Sequence, residues 1–256
     1  MNYKLTIGWL YPDLMSTYGD RGNIIVLAKR CEWRRIGAEI LNLNEEFDVK
    51  LLADVDILFM GGAQDTQQQI VSEDFTSSRI AALKNKIEDG TPGLYVCGAY
   101  QFLGKYYKDA DSTKIKGLGI FDLYTEHPGA DKPRLIGNIT IKPIDNSSFI
   151  INNSSCIVGF ENHGGRTYLG KDIKPFAEVV KGFGNNGEDR TEGAIFKNSI
   201  GTYLHGPILP KNPEIADWLI VKALKRKYKK KIELERLDDS LSQKAKETVL
   251  QKMGSY

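Results

Sequence analysis

The chain has 256 residues, long enough for one large domain or two small ones around a sizeable core. A hydrophobic fraction of 41%, a charged fraction of 27% and a net charge of +2 are ordinary for a globular protein, and they give no argument for nucleic acid or an acidic membrane surface. Three widely spaced cysteines (Cys31, Cys97, Cys156) argue against both a disulfide framework and a zinc site. No apolar run approaches the length of a bilayer span, and the start Met1-Asn2-Tyr3-Lys4-Leu5 has no signal-peptide core, so a reducing cytoplasm is the expected compartment.

Lys4 to Leu10 is rich in large apolar residues and predicts the first strand. Turn residues fill Tyr11 to Gly22, and helical spacing runs from Asn23 to Ile36, with Asn23 as N-cap and Gly37 as stop. Ala38 to Leu43 predicts a second strand. Val55 to Met60 (VDILFM) has the near-continuous apolar character of a strand buried on both faces of a parallel sheet, and it ends in Gly61-Gly62-Ala63. One long helical region follows through Gln67 to Glu88. The strand Leu94 to Val96 then leads into Cys97 and a helix reaching about Tyr107.

This alternation predicts a parallel, doubly wound α/β sheet with its sites at the strand carboxyl ends. From Ile115 the texture changes. Short apolar runs (Leu118 to Tyr124, Leu135 to Ile141, Ser155 to Phe160, Ala177 to Val180, Gly193 to Phe196, Ile200 to Leu204) predict strands of a partly antiparallel half on the same core. Asn212 to Lys230 predicts an amphipathic helix ending in a basic run that suits a solvated helix C-terminus, and Asp239 to Met253 predicts another helix. No repeat or low-complexity linker interrupts the chain, so residues 1–256 are expected to form a single domain.

The stretch Gly93-Leu94-Tyr95-Val96-Cys97-Gly98-Ala99 places a cysteine on a sharp strand-to-helix turn among small residues. A buried structural cysteine is the competing reading of an isolated Cys. The glycines around Cys97 favour a nucleophile, since they leave room for a substrate and a helix N-terminus favours a thiolate. A nucleophilic thiol needs a base and donors for the oxyanion. Of the three histidines, His205 ends a strand before Gly206-Pro207 and is the expected base, His127 is incidental, and His163 is either structural or a pocket residue. The amides of Gly62 and Gly98 are the expected oxyanion donors, each worth roughly 3 kcal/mol by mutational precedent. Cys31 and Cys156 read as packing residues.

Together, Cys97-Gly98-Ala99-Tyr100-Gln101-x-Leu103-Gly104, the downstream His205 and Gly159-Phe160-Glu161-Asn162-His163 resemble the class I glutamine amidotransferases of the CobB/CobQ-like branch. Within it, Tyr18-Gly19-Asp20-Arg21-Gly22-Asn23 and the chain length resemble the glutaminase subunits of lipid II isoglutaminyl synthases. The resemblance covers nearly the whole chain. It implies a three-layer, flavodoxin-like fold and hydrolysis of L-glutamine through a thioester on Cys97, with His205 as base. Arg134 matches the glutamine-binding arginine, and a guanidinium suits a bidentate grip on the α-carboxylate. Ammonia would pass to a MurT-like, Mur-ligase-type synthetase that amidates the D-glutamate α-carboxyl of lipid II, forming a heterodimer with this chain.

Two features bear on that implication. No phosphate loop of the G-x-x-x-x-G-K-[ST] type appears, so ATP and magnesium are expected on the partner and no cofactor or metal in this chain. Many class I relatives carry a glutamate two residues after the histidine, where this chain has Pro207. Asp20, Glu161 and Glu192 are the in-chain candidates for the orienting carboxylate, and a partner aspartate is the expectation. A γ-glutamyl hydrolase or peptidase on the same fold, and a non-catalytic regulatory subunit, are the alternative readings.

Overall fold

A computed structural model describes residues 3–144 and 156–254. The first half alternates as expected. Strand β1 (Lys4–Leu10) is followed by helix α1 (Arg21–Glu32), β2 (Gly37–Leu43), β3 (Ile57–Met60), helices α2 (Asp65–Asp74) and α3 (Ser77–Glu88), β4 (Gly93–Val96) and the short α4 (Gly98–Leu103). The second half holds strands β5 (Tyr106–Lys108), β6 (Lys114–Lys116), β7 (Leu123–Glu126), β8 (Leu135–Pro143), β9 (Ile157–His163), β10 (Arg166–Leu169), β11 (Ala177–Lys181), β12 (Thr191–Glu192), β13 (Ala194–Phe196) and β14 (Ser199–Thr202). Helices α5 (Ile208–Lys211), α6 (Pro213–Tyr228) and α7 (Ser240–Met253) close the chain.

The central sheet has the order β13-β14-β4-β3-β1-β2, parallel except for the antiparallel edge strand β13. Every residue of β3, β4 and β14 is buried, which is why these strands are apolar on both faces instead of alternating. Two four-stranded sheets, β10-β7-β5-β6 and β12-β11-β8-β9, make up the remaining half. This is the α/β architecture with a mostly parallel sheet and flanking helices that the alternation predicts. Among the described residues, no helix is long and apolar enough to cross a membrane.

Several boundaries differ from expectation, each for a local reason. The long helix after β3 is two helices: Thr76 is extended and its side chain caps α3 by accepting the Arg79 N–H, which forces a break after Asp74. The helix after Cys97 stops at Leu103, because Gly104 turns to an extended conformation and the chain enters β5. Asn23 lies inside α1, where its buried Oδ1 accepts the Leu209 N–H at 3.0 Å and ties the helix to the segment after β14. Gly37 opens β2 and does not end the helix. Leu118 to Asp122 is loop before β7, and the expected start of the strand at Ser155 falls outside the described residues.

Candidate active site

The carboxyl ends of β3, β4 and β14 meet at one place. At the end of β4 the backbone turns at Cys97 with φ +52° and ψ −104°, a conformation that costs a residue with a side chain about 1–3 kcal/mol. Two hydrogen bonds hold it there: the Cys97 N–H donates to the Thr202 carbonyl at 2.8 Å, and the Cys97 carbonyl accepts the Gln101 N–H at 3.0 Å. Cys97 as a whole is 8% exposed. Only glycine fits at position 98, since a Cβ there would come 2.8 Å from Ala63 N and 2.9 Å from Gln68 Nε2. The loop after β3 therefore closes directly onto the nucleophile turn.

His205 lies just past β14. Its N–H donates to the Phe160 carbonyl at 2.8 Å and its carbonyl accepts the Phe160 N–H at 3.2 Å, a two-bond bridge to β9. The ring is buried, with Nδ1 at 3.3 Å from Asp20 Oδ1 and the Tyr18 ring edge-on at 5.0 Å between centroids. Burial alone would lower its pKa, but the Cys97 charge and the contact with Asp20 outweigh burial and raise it to about 10. Nε2 is buried without a hydrogen bond of settled geometry, so it is the ring nitrogen open to proton exchange with Cys97. Cys97 and His205, the expected nucleophile and base, thus lie close enough for the Cys97 charge to act on the ring.

Of the three in-chain candidates for a carboxylate near the base, Asp20 is the one beside His205. Asp20 is fully buried, whereas Glu161 accepts the Phe183 and Gly184 amides at 2.8 and 2.9 Å and Glu192 accepts the Tyr203 amide at 2.7 Å. Glu161 and Glu192 are thus occupied by loops of their own. One expectation needs correction: the Gly62 N–H donates to Asp20 Oδ2 at 2.7 Å, so it is not offered to an oxyanion. Gly98, at the first position of α4, keeps its N–H free of the helical ladder as expected.

Arg134 is exposed at the mouth of the site, donating from Nε to Asn162 Oδ1 and from Nη2 to the Asn162 carbonyl, both at 2.9 Å. It lines a cavity of about 330 Å³ together with Cys97, Gln68, Gln101 and His163. Asp65 lies on the same wall, and burial pushes its pKa up despite a hydrogen bond with Tyr107 and the nearby His127 and Arg134. Sequence reasoning missed Asp65, Gln68 and Gln101. The four-residue spacing of Cys97 and Gln101 on one helix turn was the available signal for Gln101, whose side chain bridges Gln68 and Tyr203 at 3.1 Å each.

His163 stacks on Tyr203 with rings 3.6 Å apart, and Nδ1 bonds the Gly165 carbonyl at 2.8 Å. Burial lowers its pKa despite Glu161 nearby, so it is a neutral residue of the cavity wall. Cys31 is buried in the core, and burial pushes its thiol up to about 12, as suits an inert packing residue. Among the described residues, no group of three or more His, Cys, Asp or Glu is arranged to hold a metal ion.

Residues 6–213 match the CobB/CobQ-like glutamine amidotransferase domain. The chain is 45% identical over 225 residues to the lipid II isoglutaminyl synthase (glutamine-hydrolyzing) subunit GatD of Staphylococcus aureus, a match covering 88% of this chain and 86% of that one. It is 41% identical over 249 residues to the subunit of the same name from Streptococcus pneumoniae, covering 96% and 90%. Among solved structures, PurLQS from Thermotoga maritima shares the fold with a TM-score of 0.58 at 15% identity, covering 90% of this chain and all of that one. With the domain match spanning most of the sequence and both relatives aligning nearly end to end, this chain belongs to the CobB/CobQ-like glutamine amidotransferase family.

Proposed function

We propose that this chain is the glutaminase subunit of a lipid II isoglutaminyl synthase. Cys97 on its strained turn, facing the buried and charged His205, is the observation that carries the hydrolytic half. The acceptor half is supported by the two relatives that bear that name over most of their length. Residues 1–256 act as one domain in this reading.

In the reaction, the Cys97 sulfur attacks the carboxamide carbon of L-glutamine. The Gly98 N–H receives the developing oxyanion, with the Ala63 amide beside it as second donor in place of Gly62. His205 gives the proton from Nε2 to the departing ammonia, leaving a glutamyl thioester on Cys97. His205 then takes a proton from water, which attacks the thioester and releases glutamate and free Cys97. Arg134 holds the α-carboxylate, and Asp65 on the same wall suits the α-ammonium, so the cavity presents both charges of a free amino acid.

Ammonia leaves for a MurT-type synthetase that binds ATP and magnesium and amidates the D-glutamate α-carboxyl of lipid II. The pair works as a heterodimer in the cytoplasm. The test is labelling of Cys97 by 6-diazo-5-oxo-norleucine, followed by ammonia release and lipid II amidation with the synthetase added. An adduct on Cys97 and loss of both activities in Cys97→Ala are expected. Release from γ-glutamyl peptides in preference to free glutamine would replace this reading with a peptidase. Lipid II amidation retained by Cys97→Ala on glutamine would replace it with a non-catalytic subunit.

A further inference from the structure

Cations collect at the end of the central sheet opposite Cys97. From Lys225 to Lys231 every residue except Tyr228 is lysine or arginine, a local excess that the net charge of +2 conceals. Contacts fix where this run lies. Tyr228 packs edge-on against Tyr3 at 4.9 Å between centroids, and its hydroxyl accepts the Lys4 N–H at 2.9 Å, at the start of β1. Lys227 pairs at 2.6 Å with Asp56, just before β3, and Arg226 pairs with Asp89, between α3 and β4. The C-terminus of α6 therefore sits at the amino ends of β1, β3 and β4, whereas Cys97 and His205 lie past carboxyl ends. The seven residues of β1 alone put about 20 Å between the two ends.

Lys231 is neutralised by Glu233 at 3.0 Å, as Lys227 and Arg226 are by their aspartates. Lys225 and Lys229 are exposed and make no ion pair among the described residues. Lys229 holds the left-handed C-cap of α6 at φ +53°, a position where glycine is the common choice, so its side chain is kept at a cost to the backbone. At the same end, α1 finishes in Trp33, which is 60% exposed, and Arg35 beyond it is exposed as well. Arg34 between them joins α1 to α6 through Asp217 at 2.7 Å, and it lines one cavity of about 630 Å³ with Lys225 and Lys231.

We propose that this end is a peripheral docking surface for an anionic lipid bilayer, with Lys225, Lys229 and Arg35 meeting the headgroups and Trp33 entering the interface. Unpaired cations supply attraction to anionic headgroups, and tryptophan is a side chain enriched at the membrane–water boundary. The choice of a bilayer over another polyanion also rests on the reading that the acceptor is a lipid. A few cations and one ring give reversible attachment. Attached this way, the chain turns its Cys97 end from the bilayer and leaves it free for the synthetase.

The full chain is sedimented with vesicles of phosphatidylcholine alone or mixed equally with phosphatidylglycerol, at low and at high salt. Tryptophan emission is read in parallel, because Trp9 and Trp218 are buried and Trp33 is exposed. Wild type should bind the mixed vesicles at least tenfold tighter than phosphatidylcholine, lose most of that binding in high salt, and shift its emission to the blue. Lys225→Gln combined with Lys229→Gly removes both charges while easing the C-cap, and binding should fall roughly tenfold or more. Trp33→Phe should abolish the blue shift. Equal affinity for the two kinds of vesicle, no sedimentation with either, undiminished binding by the double variant, or a blue shift retained in Trp33→Phe would each overturn the proposal.

These measurements need no glutamine, and the substituted residues lie outside the cavity around Cys97, so labelling of Cys97 should be unchanged in both variants. Vesicle binding by a chain that releases no ammonia would remove the glutaminase reading and keep the surface. Ammonia release and lipid II amidation without vesicle binding would do the reverse.

Discussion

Glu192 offers the sharpest test of how burial acts on a charge in this protein. Its carboxylate is fully buried, accepting the Tyr203 amide at 2.7 Å and the Thr202 hydroxyl at 3.0 and 3.2 Å. Burial raises its pKa to about 8 against the pull of those hydrogen bonds, from an ordinary value of 4.5. The folded chain thus keeps a proton that the unfolded chain releases above about pH 4.5, and stability falls as pH rises from there to about 8. At about 1.4 kcal/mol per pH unit, the accumulated cost is on the order of 4 to 5 kcal/mol once both states are ionised. Glu192→Gln, which keeps an acceptor for the Tyr203 amide, removes the titration. Urea unfolding at pH 5, 7 and 9 should show the variant gaining on wild type by a few kcal/mol across that range, with little difference at pH 5. His205 titrates in both proteins and cancels in the difference. Parallel stability curves for the two proteins would refute the reasoning.

Gly98→Ala forces a Cβ to 2.8 Å from Ala63 N, so ammonia release should fall at least tenfold while the melting temperature changes by only a few degrees. Arg134→Lys loses the forked donor and should raise KM for glutamine about tenfold with kcat nearly kept. Asp65→Asn should weaken glutamine but leave turnover of glutaramate, which lacks the α-amino group, unchanged; equal losses on both substrates would remove Asp65 from the site. Arg30 is 3% exposed and is paired with Asp217 at 2.6 Å and Asp239 at 2.5 Å, so Arg30→Ala should cost roughly 3 kcal/mol in chemical unfolding.

The central sheet was legible because burial on both faces leaves its own mark: VDILFM and the run into Cys97 have no polar alternation to confuse with another element. The short strands of the second half were not. Tyr106–Lys108 and Lys114–Lys116 are three residues each with one buried residue apiece, so neither length nor pattern separates them from loop. Within the site, Cys97 and His205 were readable from the residues that follow them. Asp20 was one of three candidate carboxylates that the sequence could not separate, since it lies 185 positions from His205 in a stretch whose glycines signal only a turn. The assignment of Gly62 failed for a related reason. Sequence places the amide at a strand end but cannot say which acceptor it faces, and the answer came from that same distant aspartate.

The bridge between Phe160 and His205 has a thermodynamic consequence. The ring of His205 is fixed by Asp20 and Tyr18 while its main chain is pinned to an outer sheet, so no rotor of the base is left for substrate to freeze. Ordering a free side chain on binding costs about 0.5–1.5 kcal/mol. In this fold that entropy is lost during folding, when the core is there to offset it. Glutamine, a small ligand with few contacts to spend, meets a preorganised base and can direct its binding energy to aligning its own carboxamide.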